Sequence, residues 1–189
     1  MRQTYLMSDL LQRLEMGGVD LVTREYGQQA YPLLAQALRQ TPADAYLVFD
    51  FAGVRTVDTA FTRETFVRLL SEVIDGQFGG VRFLLANLSA NALETFEILM
   101  ERRKNLGFFL VLQPTGLYIA GHMEPNLHEV YALLKEHKEV SVRDLAEKLH
   151  LEINTASTRL KKLYDANATT RREEIIERGR QHIYRLLGV

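Results

Sequence analysis

The sequence contains no cysteine among its 189 residues. That excludes disulfides and thiolate chemistry. No stretch approaches the roughly 18 uncharged apolar residues of a membrane-spanning helix. The first residues, Met1-Arg-Gln-Thr-Tyr-Leu-Met-Ser-Asp, lack a secretory plan, because Asp9 and Gln12-Arg13 interrupt any apolar core. The expectation is a soluble, cytoplasmic chain with no membrane partner. Net charge is also nearly absent, at −1, so the chain as a whole gives no nucleic-acid signal.

Catalytic and metal-binding motifs are equally scarce. His122, His128, His137, His150 and His182 form no HExxH or comparable spacing. Gly17-Gly18 and Gly79-Gly80 read as plain turns, and neither a phosphate loop nor a G-x-S-x-G elbow is present. Asp50 and Asp58 are strand-end acids with no acid–base partner. The sequence therefore points away from an enzyme, with no catalytic residue, metal or cofactor expected.

What is present is apolar patterning and local charge. A hydrophobic content of 47% and a charged content of 25% suit a folded chain of one ordinary domain or two small ones. Leu6, Leu10, Leu11 and Leu14 predict a helix over residues 5–15, part of an N-terminal helical extension spanning 1–18. Residues 20–24 predict a short strand. Leu33, Leu34, Ala37 and Leu38 predict a helix over 28–39, with Pro32 in its first turn. Short apolar runs at 46–51, 81–86, 108–112 and 117–120 predict strands. Helices are expected between them at 62–74 and 91–104, on the stripes Phe66, Leu69, Leu70, Val73 and Leu93, Phe96, Leu99, Met100. This alternation predicts an α/β layer with a mostly parallel sheet over residues 1–121.

After residue 121 the alternation stops. Asn126 is expected to cap a helix running to about His137. Ser141, with Asp144 as capping-box partner, starts a second helix through Val142, Leu145, Ala146 and Leu149. A third spans 152–163 and buries Ala156, Leu160 and Leu163. Two strands at 169–176 and 181–187 follow, around Arg178-Gly179-Arg180. From Thr155 onward 8 Lys/Arg face 4 Asp/Glu, whereas residues 1–122 hold 11 against 13. Basic charge is thus concentrated on the third helix and the hairpin, as a DNA footprint requires.

Residues 141–184 resemble the winged helix-turn-helix of bacterial transcriptional regulators of the multiple-antibiotic-resistance and arsenical-resistance repressor types. The resemblance lies in the order V-S-V-R-D-L-A-E-K-L, T-A-S-T-R-L-K-K-L, T-R-R-E and Y-R-L. It departs where His150 takes the place of a common Gly, and where Asn167 and Ala168 replace Gly and a large aliphatic residue. The resemblance implies a domain over 122–189 that binds double-stranded DNA, usually as a homodimer on two half-sites. Asn154, Thr155, Ser157, Thr158 and Arg159 are chemically suited to base edges. Lys161, Lys162, Arg171, Arg172, Arg178 and Arg180 suit phosphates. A winged helix used only for protein contacts is the alternative.

The stretch Asp50-Phe-Ala-Gly-Val-Arg-Thr-Val-Asp-Thr59 and the helix after it resemble STAS domains (sulfate transporter and anti-sigma-factor antagonist), over residues 20–121. The resemblance implies signal reception or dimerisation, or docking of a kinase-like or sigma-regulating partner with phosphorylation at Thr59 beside Asp58. A phosphate at a helix N-terminus would be an effective switch. Phe61 stands where the antagonists carry Gly, and the commoner role for Asp58 or Thr59 at such a position is that of a helix cap alone. The fold expected of the whole chain is a STAS-like α/β domain followed by a mainly α winged helix-turn-helix. It reads as a transcriptional regulator, with a signalling adaptor as the second reading.

Overall fold

The computed structural model describes residues 1–43, 45–176 and 179–189, and the chain divides into two units, Met1–His122 and Met123–Val189. In the first unit, β1 (Arg2–Leu6), β3 (Tyr46–Asp50), β5 (Arg82–Ala86), β6 (Phe108–Gln113) and β7 (Gly116–Gly121) form one sheet in that order. The first four are parallel and β7 returns antiparallel on β6. A separate parallel pair joins β2 (Asp20–Leu21) to β4 (Thr56–Val57). The helices are α1 (Met7–Arg13), α2 (Arg24–Gln40), α3 (Thr59–Thr62), α4 (Arg68–Ile74) and α5 (Ala90–Glu101).

The parallel strands lie in sequence order, so successive crossovers step in one direction. Right-handed crossovers then place the intervening helices on one face of the sheet. The core follows this geometry. Alternate strand residues Leu47, Phe49, Phe83, Leu85, Phe109 and Val111 join Leu34, Leu38, Phe66, Leu70 and Phe96 from the helices in one buried cluster. Six phenylalanines, Phe49, Phe51, Phe66, Phe83, Phe96 and Phe109, form a connected array. Its ring centroids lie between 5.2 Å and 6.2 Å apart, mostly edge-on.

Three expectations for this unit need correction. The N-terminal extension is not wholly helical: residues 2–6 are an edge strand paired with β3, and the helix covers only Met7–Arg13. A polar edge strand with only Tyr5 half-buried shows no period, so the leucine spacing beyond it dominates the sequence pattern. Helix α2 starts at Arg24, capped by the Thr23 hydroxyl, which puts Pro32 in the helix interior. Gly27 explains why this early segment packs well: a Cβ there would meet the Glu64 Cβ at 2.9 Å and the Phe61 Cα at 3.2 Å. The helix expected from residue 62 begins at Thr59, and a π-helical turn (Arg63–Val67) links α3 to α4. The Thr62 and Thr65 hydroxyls there donate to the Asp58 and Phe61 carbonyls.

The second unit consists of α6 (Pro125–His137), β8 (Glu139–Ser141), α7 (Val142–Lys148), α8 (Ile153–Asp165), β9 (Thr169–Ile176) and β10 (Gly179–Leu186). Its antiparallel sheet has the order β8-β10-β9. Asn126 does not cap α6. Glu124 takes that position and Pro125 occupies the first helical residue, where the missing N–H has no helical partner to lose. Among the described residues no helix is long and apolar enough to cross a membrane, and no three His, Asp or Glu side chains are grouped to hold a metal ion.

Candidate nucleic-acid interface

The second unit positions α8 through two local devices. Ser141 Oγ accepts the Asp144 amide at 3.1 Å while Asp144 Oδ2 accepts the Ser141 amide at 2.9 Å, a reciprocal capping box that starts α7. His150 then adopts φ 51° in the short turn before α8. Helix α8 packs against α6 and α7, with Ala156, Leu160 and Leu163 fully buried. The helical period then leaves the opposite side polar: Asn154, Thr155, Ser157, Thr158, Lys161 and Lys162 are exposed, and Arg159 is half-buried.

The hairpin after α8 is firmly seated. Asn167 supplies the left-handed residue (φ 61°) that ends the helix. Ala168, fully buried, uses its backbone in both directions: its amide donates to the Leu163 carbonyl at 2.9 Å and its carbonyl accepts the Leu187 amide at 3.0 Å. Strands β9 and β10 pair along their whole length, from Thr169 with Leu186 to Ile176 with Gly179. The small side chain at 168 therefore leaves the wing intact.

The candidate cations are brought onto this module, but most are already paired. Lys162 Nζ lies 2.7 Å from Glu124 and an Arg159 guanidinium nitrogen 3.5 Å from Glu129. Lys161 pairs with Asp165 one turn on. Arg172 reaches Glu139 at 3.1 Å and Glu174 at 3.3 Å, and Arg180 reaches Glu173 at 3.4 Å. Arg171 lies over the Tyr164 ring, 4.3 Å from its centroid. Arg178 falls outside the described residues. The Glu139 carboxylate, bonded to Arg172, raises that guanidinium's pKa. Glu174 titrates below the ordinary carboxylate range because Gln181 and Arg172 hydrogen-bond to it.

Local sequence patterning misses Glu124, Glu129 and Glu139, which lie 38, 30 and 33 residues from their partners. It also misses Ile175, 83% exposed on β9 opposite Arg180. Asn126 joins Asn154, Thr155, Thr158, Arg159 and Lys162 around a concavity of about 310 Å³.

In the first unit Asp58 is the helix cap. Its Oδ1 accepts the Phe61 amide at 2.7 Å, and its Oδ2 accepts the Thr23 amide at 2.8 Å. One carboxylate thus fixes the starts of both α2 and α3. Thr59 is exposed in the first turn of α3, beside Arg24, Arg63 and Glu64 around a hollow of about 200 Å³. Asp50 is likewise structural: its Oδ1 accepts the Ala52 amide and the Asn87 side-chain amide.

A capped helix, a short turn, a second helix with a polar outer face and a paired hairpin define the second unit as a winged helix-turn-helix. Residues 124–174 match the model of the MarR family, a segment running from the start of α6 into β9 and lying wholly in the second unit. No curated protein and no solved structure matches the chain.

Proposed function

We propose that the chain is a DNA-binding transcriptional regulator of the cytoplasm. Helix α8 enters the major groove and the β9–β10 wing lies beside it. The observation that carries this reading is the exposed polar face of α8, held on a capped helix-turn-helix within the segment matching the MarR family. Asn154, Ser157 and Thr158 carry polar atoms suited to base edges, and the exposed Arg171 is a cation suited to phosphate contact. The first unit, a STAS-like domain in this reading, receives a signal or joins two copies into a homodimer, which would match two half-sites. Electrophoretic shift against DNA upstream of the protein's own coding sequence tests the proposal. Binding should weaken steeply with salt, and Asn154→Ala should lower discrimination between that DNA and a scrambled duplex by about 5- to 100-fold. No shift at low ionic strength overturns it.

A second reading is favoured by the exposed Thr59 beside Arg24 and Arg63: the first unit docks a kinase-like or sigma-regulating partner, as a signalling adaptor would. A phosphate on Thr59 would add charge at a helix start flanked by Arg63 and by Arg24, the latter paired with Glu64 at 2.9 Å. Mass spectrometry after incubation with a candidate kinase checks this; an unmodified Thr59 and no complex count against it.

A further inference from the structure

The excess of cations that begins at Thr155 is answered from outside that stretch. Glu124, the cap residue of α6, and Glu129 in its second turn reach Lys162 and Arg159 on the flank of α8 that faces α6. The two carboxylates remain 51% and 68% exposed, and the cations they hold line the open concavity beside Asn154 and Thr158. Exposed pairs of this kind are weak enough to exchange partners. A carboxylate and a phosphate offer an ammonium or guanidinium group the same kind of anionic oxygen.

We propose that Glu124 and Glu129 are specificity-determining residues of the DNA interface. They act as internal stand-ins for backbone phosphates and suppress binding to generic DNA. A cation already neutralised by a carboxylate gains little on meeting a phosphate, and the displaced carboxylate is left close to the DNA backbone, where it repels it. Generic duplex is therefore held poorly. A site that engages Asn154, Ser157 and Thr158 recovers the difference through contacts that do not depend on Lys162 and Arg159. The inference rests on the proposed DNA-binding function and adds to it how the interface limits unspecific affinity.

The test uses the full chain and fluorescence anisotropy with a labelled 30-bp duplex of mixed sequence, titrated at several salt concentrations. The Glu124→Gln/Glu129→Gln variant should bind on the order of tenfold more tightly than wild type at low salt. Its log K against log salt slope should be steeper by about 2, since each released cation adds about 0.9. Glu136→Gln/Glu147→Gln removes the same charge from exposed positions that, among the described residues, form no ion pair with α8, and should leave the slope unchanged. Adding Lys162→Ala and Arg159→Ala to the first variant should abolish the gain. Equal affinity and slope for wild type and Glu124→Gln/Glu129→Gln overturns the inference while leaving DNA binding standing. So does a gain that survives loss of both cations. If neither wild type nor any variant binds a duplex, the DNA-binding function itself fails, and the inference falls with it.

Discussion

The two units use their polar side chains in opposite directions. In the first, the acids at the site picked out by sequence turn onto the backbone: Asp58 holds two helix starts and Asp50 ties β3 to the loop after β5. In the second, the site's polar groups turn outward, and its ion pairs lie on the surface of α8 and the wing. The first arrangement couples its candidate residues to folding. The second leaves them free to exchange partners. Substitutions in the first unit should therefore register as lost stability, and those in the second as altered binding.

The largest effect is expected in the aromatic core. Phe66 is fully buried, with ring centroids 5.3 Å from both Phe49 and Phe51 and 5.7 Å from Phe96. Phe66→Ala should cost about 3–5 kcal/mol, read as a lowered midpoint in urea unfolding. A cost below about 1 kcal/mol would show that the array is not the main support of the first unit.

Next comes the contrast between adjacent residues. Asp58→Ala removes the cap of α3 and the acceptor for Thr23, whose φ of 75° is costly for a β-branched residue. It should cost about 1–2 kcal/mol. Thr59→Ala, one position on and exposed, should stay within about 0.5 kcal/mol of wild type. Equal losses at both would remove the case for Thr59 as a surface residue available to a partner. Arg171→Ala belongs to the other unit and should reverse the pattern. Its side chain is exposed and lies over the Tyr164 ring, 4.3 Å from the centroid, a contact that contributes about 0.5–1 kcal/mol to stability, while affinity for DNA should drop several-fold and the salt slope become shallower by about 1.

The same contrast governs what the sequence could reveal. Helix α8 was legible because Ala156, Leu160 and Leu163 recur at helical spacing and leave Asn154, Thr158 and Lys161 on the other side. The Ser141–Asp144 capping box was legible because both partners lie three residues apart. The strand β1 was not, since its partner β3 is 44 residues away, Arg2 pairing with Tyr46. Nor were the pairs that neutralise Lys162, Arg159 and Arg172. A charge count over a contiguous window sees the cations and omits the acids that folding brings to them. Asp58 was legible as a cap, but its second bond, to Thr23, spans 35 residues and makes it a link between helices.

The smallest expected effect concerns acid, where both units should behave alike. Asp20 in the first unit titrates below the ordinary carboxylate range because it accepts hydrogen bonds from Arg55. Glu174 in the second is lowered by its bonds from Gln181 and Arg172. A carboxylate with a depressed folded pKa contributes stability that is fully present above its unfolded value, about 4. That contribution is lost as pH falls through the lower folded value. Between pH 7 and 5 neither group changes charge, so Asp20→Asn and Glu174→Gln should shift Tm by constant small amounts there. Below about pH 4 wild type should converge on each variant as the carboxylates protonate. Both side chains are solvent-accessible, so the differences should be modest and shrink in high salt. A Tm gap that widens on acidification, for either variant, would mean the pair opposes folding. For Glu174 that would remove the Arg172-centred cluster as a support of the wing.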